Sequence, residues 1–484
     1  MTAKLTGGRV RLRENLGARM RHLTLFTAAI LLGQSAVALA IPAKPGSRVQ
    51  KTSPNTAKRP ATVPATLPNT PEIAELRRSF RFAFPIYEFM RTRSAQLARA
   101  QAAGVPNAVN VVIPKLTLAD ATTREVTTPN NDTLYGSAWL DLAGGPVLLD
   151  IPALPNRYNS AALMSIQTDN TAILGTRTGS QGGRYAIVGP GFSGTTPLGA
   201  ELIRSASNDA WLLIRVLVKD DKDLPAAAKA LGDYKLTPAA DSAAAVPATK
   251  APAAPDARTF LAVVNLALSR SSANLELAAR AATFGLANPT PDKVALFNKY
   301  LPALRNELKG GLSSAGEVVE GWSYPHLATG DFGENDDLRS QIALGGLAAL
   351  PRIEAMYLTA RSDKDGAPLE GSKSYRVKLP RGLPVGAFWS LTMYQQEADG
   401  RLFFVPNDLN RFAVGDRSRQ LRAERDGSYE IFVQAAKPEG ERVVNWLPAP
   451  KGKFVMVFRG YLPRAPLLDG SFRLPPVEVG EVVP

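Results

Sequence analysis

The chain has 484 residues, no cysteine and two histidines, His22 and His326, which excludes thiol catalysis, disulfides, zinc sites built from Cys and His, and haem held by paired histidines. The length allows two domains with substantial cores, and 39 glycines with 38 prolines favour short strands and many turns over a helical bundle. The net charge of +14 is partly a property of the first forty residues, which hold six Lys or Arg against one Glu. With no basic helical stripe and no RNA-binding aromatic sheet motif, no nucleic-acid partner is expected. Any metal would need oxygen ligands, and neither a metal nor a cofactor is expected.

In chain order, a basic start precedes an uncharged run from Leu23 to Leu39 that closes on Ala38-Leu39-Ala40 before Ile41-Pro42. This pattern predicts a secretory signal peptide over 1–40, with Met20 as an alternative start. The run is too short for a membrane span and ends on small residues, so membrane contact is expected only before cleavage, and the location is periplasmic or secreted. Residues 41–71 are rich in Pro, Thr, Lys, Ala and Ser and read as a disordered tether. From Glu72 to Ala103, Ile73, Leu76, Phe80, Phe84, Tyr87, Met90 and Leu97 keep helical spacing, with Pro85 predicting two pieces and a kink.

After Gly104 short apolar runs predict strands at 111–113, 137–140, 147–151, 161–166, 184–188 and 211–218, the stretch between the last two being a long loop. Asp223 reads as the N-cap of a short helix ending near Gly232. An Ala/Pro linker over 237–256 is followed by helices at 260–268, 275–284, 294–308 and 337–358, the last divided by Gly345, Gly346 and Pro351 into two packed pieces. Strands return at 375–379, 387–394, 402–405, 429–434 and 454–461. The fold class is therefore α+β. Two β-rich, sandwich-like domains, 72–236 and 363–484, are joined by a helical segment over 257–362.

Within six positions Asn130, Asn131, Asp132, Thr133 and Tyr135 place two amides, a carboxylate, a hydroxyl and a phenol between apolar strands. Such groups must satisfy each other or a ligand. The cluster is either a site for a hydroxyl-rich molecule or a turn in which Asn131 and Asp132 bond the local backbone. Arg157 and Arg177 offer guanidinium forks for an anion, or else pair with Asp141 or Asp169. Gly175, Gly179, Gly182 and Gly183 sit where an anion cradle or sharp turns would need them, without a P-loop fingerprint. His326 is the one histidine beyond the leader and a candidate general acid or base, although no Gly-x-Ser-x-Gly elbow accompanies it. Asp363-Lys364-Asp365-Gly366 reads as a β-turn or the opening of an incomplete calcium loop. Trp389, Tyr394 and Trp446 are either a stacking platform or core.

The stretches Asn130 to Tyr135, Trp139-Leu140-Asp141-Leu142, Arg157-Tyr158 and Gly189-Pro190-Gly191-Phe192 together resemble domain-of-unknown-function family 1254. Phe388 to Tyr394, Asn410-Arg411-Phe412, Asp426-Gly427-Ser428 and Asn445 to Pro450 resemble its companion, family 1214. Arg459-Gly460-Tyr461-Leu462 departs from the aromatic-rich ending of that family, so no C-terminal phenol is assigned to a site. The resemblance implies an exported two-domain protein without a settled activity. The expectation is an envelope protein binding a small polar molecule or glycan through Asn130, Asn131, Asp132, Arg157 and Arg177, and a homo-oligomer is compatible with it. One alternative is a hydrolase or lyase in which Tyr135 or His326 moves a proton, and another is a structural envelope protein.

Overall fold

The structure is a computed structural model that describes residues 67–124, 126–239, 250–310 and 316–481. The expected signal peptide, most of the tether and half of the linker lie outside the described residues. Helix α1 (Pro71–Ala102) starts with Thr70 accepting from the Ile73 amide and Pro71 in the first turn. It runs unbroken through Pro85, against the expectation of two pieces. A mid-helix proline costs about 3 kcal/mol or more. Here Phe80, Phe82, Phe84, Tyr87 and Phe89 are all buried around it, and that burial offsets the lost hydrogen bond.

The N-terminal strands are β1 (Ile113–Lys115), β2 (Thr133–Asp141), β3 (Val147–Ile151), β4 (Asn159–Ser165), β5 (Asn170–Gly175), β6 (Gly183–Val188), β7 (Glu201–Arg204), β8 (Asp209–Leu217) and β9 (Lys235–Pro238). Between β8 and β9 lies α2 (Leu224–Gly232). They form a five-stranded sheet, β1-β2-β8-β4-β5, and a four-stranded sheet, β7-β6-β3-β9. β7 lies inside the expected long loop. Leu134, Leu140, Leu149, Leu163, Ile187 and Leu212 belong to the core between the sheets.

Next come α3 (Ala257–Arg270), α4 (Leu275–Thr283), α5 (Pro291–Gly310), β10 (Gly316–Val319), β11 (Trp322–Pro325), α6 (Asp336–Gly345) and β12 (Ala355–Ala360). The single helical region expected at 337–358 is thus a helix and a strand. Gly346 ends the helix, and the run Ala355 to Ala360 alternates as a strand does, burying Met356, Leu358 and Ala360 on one side. The chain closes with β13 (Ser374–Leu379), β14 (Trp389–Gln396), β15 (Leu402–Phe403), β16 (Ala413–Gly415), β17 (Tyr429–Gln434), β18 (Trp446–Pro448), β19 (Phe454–Tyr461), α7 (Ala465–Asp469) and β20 (Glu478–Gly480).

The larger C-terminal sheet has the order β10-β11-β12-β19-β14-β15, with β16 on β14, and packs on β18-β17-β13-β20. Its first three strands come from within the segment expected to be helical. Two sandwiches result, with the outer faces of their large sheets turned toward each other. Helices α1 and α3 to α6 cover part of that outer face on the N-terminal side, packing on Trp139, Met164, Trp211 and Leu213.

Candidate functional site

Strand period decides what faces the gap between the sandwiches. In β2 the even positions Leu134, Ala138 and Leu140 enter the sandwich core, so Thr133, Tyr135 and Ser137 face outward. In β8 the odd positions Trp211, Leu213 and Arg215 do the same, and from the C-terminal side Tyr357 and Thr359 of β12 meet them with Val457 and Arg459 of β19. These residues enclose a cavity of about 430 Å³. Loop residues 126–130 close one flank, and the end of α6 with residues 346–349 closes another. The loop is fastened to the C-terminal sheet: the Thr128 amide donates to Leu402 O at 2.8 Å, and the Tyr394 hydroxyl donates to Pro129 O.

Two arginines dominate the walls. Arg215 is 5% exposed, its guanidinium carbon lies 5.5 Å from the Tyr135 ring centre, and its Nε and Nη1 are buried without a hydrogen-bond partner. Arg459 is also buried and donates to Thr392 Oγ1 at 2.7 Å and to the Tyr394 hydroxyl oxygen at 2.6 Å. Among the described residues neither arginine forms an ion pair. Burial by itself lowers the pKa of Arg215, but the surrounding oxygens of Tyr135, Tyr357, Tyr158 and Tyr461 outweigh it and hold the group above its ordinary value. Arg459 is raised in the same way, against its burial, by Tyr394, Asp132 and Tyr461. Both cations therefore persist.

Burial raises the pKa of Tyr158, Tyr357 and Tyr461, and pushes Tyr394 up to about 12. Their folded pKa values exceed the unfolded phenol value of about 10, so their stabilising contribution is complete below that pH and is lost as pH rises through the folded values. Stability should accordingly fall once the pH exceeds about 10. Absorbance at 295 nm should show these four phenols resisting ionisation in the ordinary phenol range; their titration at about pH 10 in a folded chain would refute the assignment.

The residues singled out from the sequence divide between two sides of the wall. Tyr135 faces the cavity, and so does Asn130, whose Nδ2 donates to the Tyr461 hydroxyl oxygen at 2.8 Å and whose Oδ1 accepts from the Asp132 amide at 2.6 Å. Asn131 and Asp132 turn to a separate surface hollow. There Asp132 pairs with Arg417 and accepts from Ser390 Oγ at 2.7 Å, which joins the two domains. Arg157 grips Asp223 with contacts of 2.5 and 2.6 Å. Asp223 is thereby occupied and makes no side-chain cap for α2, while Asp220 caps the turn before it.

Arg177 pairs with Glu354 at 2.7 Å and donates to Ile353 O. The partners proposed for these two arginines are taken elsewhere, Asp141 by Arg270 and Asp169 by Arg339. His326 is exposed on a turn, where Nδ1 accepts from the Ala328 amide at 3.1 Å, and it does not line the cavity. Trp389 lies in the C-terminal core, buried Trp446 donates to Gln434 O at 2.8 Å, and the Asp363 carboxylate closes a local turn onto the amides of Asp365 and Ala367. Among the described residues no three His, Asp or Glu side chains converge as a metal-binding set. Nor, among them, is any helix long and apolar enough to cross a membrane.

The sequence reading assigned none of Arg215, Arg459, Tyr357 and Tyr461 to the site, having set Arg459 and Tyr461 aside with the departing C-terminal motif. For the two arginines the signal was a lone arginine inside an otherwise apolar strand, in Trp211 to Val218 and again in Phe454 to Tyr461.

The molecule is a mixed α+β protein of two β-rich domains meeting at an interdomain cavity. Residues 109–238 match the family model described as protein of unknown function DUF1254, and residues 354–465 match DUF1214. The chain thus carries a DUF1254 domain followed by a DUF1214 domain. The crystal structure of the VPA0106 protein from Vibrio parahaemolyticus shares the fold, with TM-score 0.65 and 23% identity over 84% of this chain and 100% of that one. An uncharacterised Burkholderia cenocepacia protein aligns with TM-score 0.44 and 14% identity over 86% of this chain and 91% of its own. No curated protein matches.

Proposed function

We propose that the chain is an exported protein that binds a small organic molecule in the cavity between its two domains. The observation that carries this reading is the cavity itself, since packed interiors rarely leave voids larger than a water molecule. At about 430 Å³ it falls in the range of roughly 300–1,000 Å³ that small ligands occupy, at the domain junction where such sites concentrate. Its walls set Tyr135 and Tyr357 beside Leu213, Ile342 and Val457, which suits a molecule with one polar end. Raised pKa values keep Tyr357 and Tyr461 as hydrogen-bond donors rather than bases at neutral pH. Together with the exposed placement of His326, this favours binding over proton transfer.

Titration calorimetry of the full chain with 1-octanol and octanoate tests the site. At least one should bind, and Thr359→Trp, which fills the cavity from a β-strand position that tolerates an aromatic, should weaken it roughly ten-fold or more. Binding unchanged in that variant, or no binding by either probe to the parent, would overturn the reading.

A further inference from the structure

We infer that the ligand is an organic carboxylate with an apolar body, its charged end held by Arg215; this deepens the preceding proposal and rests on the cavity being the binding site. A buried guanidinium without a counter-ion is a costly arrangement that proteins seldom keep without a use. Arg215 is such a group: Nε and Nη1 are buried and unpartnered, it lines the cavity, and Tyr135, whose ring its guanidinium covers, lines the cavity too.

The nearby carboxylates are committed elsewhere. Asp132 is held by Arg417 and Ser390, Glu354 by Arg177 and Tyr158, and Asp223 by Arg157. Arg459, the second cation on the wall, spends its hydrogen bonds on the neutral oxygens of Thr392, Tyr394 and Thr128, feels the Asp132 carboxylate only at longer range, and forms no ion pair among the described residues. The cavity wall therefore holds a guanidinium without an ion-pair partner and, among the described residues, no Asp or Glu, and a carboxylate matches that fork in charge and geometry.

The rest of the wall defines the remainder of the ligand. Trp211, Leu213, Ile342 and Leu347 offer apolar surface for a hydrocarbon or aromatic body. A glycan fits less well, because among the described residues the lining holds no Asp or Glu to accept from sugar hydroxyls, only neutral oxygens such as those of Thr133 and Thr329.

The test compares octanoate with 1-octanol on the full chain and on Arg215→Met. The parent should bind octanoate roughly ten- to a hundred-fold more tightly than the alcohol, the factor expected of a charge-assisted pair. Arg215→Met should erase that preference while still binding the alcohol. Ligand-free Arg215→Met should also melt at or above the parent temperature, because an unpaired buried charge has been removed; a structural role for Arg215 predicts a lower one.

Equal affinity of the parent for the two probes, or a preference that survives in Arg215→Met, would overturn the carboxylate assignment and leave the cavity reading standing. Failure of both probes on the parent would overturn both. Should Arg215→Met not fold, the structural role is shown, and Arg215→Lys with octanoate preference retained would be required to keep the assignment.

Discussion

Replacing Asp132 by Ala should cost about 3–5 kcal/mol of stability, the range for removing one partner of a buried ion pair. The Asp132 carboxylate is almost fully buried and receives two groups from the other domain, the Arg417 guanidinium and the Ser390 hydroxyl. Arg417 is less deeply placed, with 20% of its side chain exposed, and also donates to Val218 O at 2.7 Å while covering the Phe388 ring at 4.8 Å. Water can therefore reach the orphaned cation in part, which argues for the lower end of the range. Urea unfolding of parent and variant measures the effect. A loss under about 1 kcal/mol would mean that the contact contributes no more than a surface pair. The same result governs ligand experiments, since lost binding in an Asp132 variant reports on the domain joint unless the fold is checked alongside.

Trp139→Ala should cost a similar amount, about 3–5 kcal/mol, by opening a cavity where the helices meet the N-terminal sheet. Trp139 stacks on Trp211 with centroids 4.6 Å apart and meets Phe89 of α1 edge-on at 5.1 Å. Its Nε1 donates to Gln96 Oε1 at 2.9 Å, and Ser137 Oγ donates to the same oxygen at 3.0 Å. The substitution removes ring contacts on two sides and one donor of a buried amide. Chemical denaturation checks the magnitude. Trp139→Phe separates the terms: keeping much of the ring burial, it should recover more than half of the loss, and a variant as unstable as the alanine would place the energy in the Gln96 hydrogen bond instead.

Much of this architecture was legible because its strands are strongly apolar and its turns well marked. β3, β6, β8, β13, β17 and β19 fall within a residue or two of the expected runs. Half-exposed strands were harder to see: β7 exposes three of its four residues and so carries no apolar run to find. The helix expected through Leu358 failed for a different reason. Leu344 to Leu358 is apolar enough for either structure, and only pairing of β12 with β11 and β19 decides for a strand.

The site shows the same division. Asn130 and Tyr135 belong to the cavity wall, yet Asn131 and Asp132 between them face away, because the chain turns there, with Asn130 Oδ1 accepting from the Asp132 amide, before β2 begins its alternation at Thr133. The opposing groups, Tyr357, Arg459 and Tyr461, come from strands more than two hundred positions later, and no local pattern links them to the cluster. Even the aromatic ending that departs from its family pattern supplies Tyr461, the hydroxyl that receives the Asn130 amide.

The fastening between the domains also has a kinetic side. Asp132 and Arg417 are 285 positions apart, and Asn130 and Tyr461 are separated by 331. During synthesis the first sandwich emerges with its Asp132 carboxylate facing solvent or a wrong partner until nearly the whole chain has been made. Contacts so remote in sequence slow folding and prolong the life of incomplete states with exposed sheet faces. The late pairing of β19 with β14 is thus the step on which the first domain waits for the Tyr461 hydroxyl that receives its Asn130 amide.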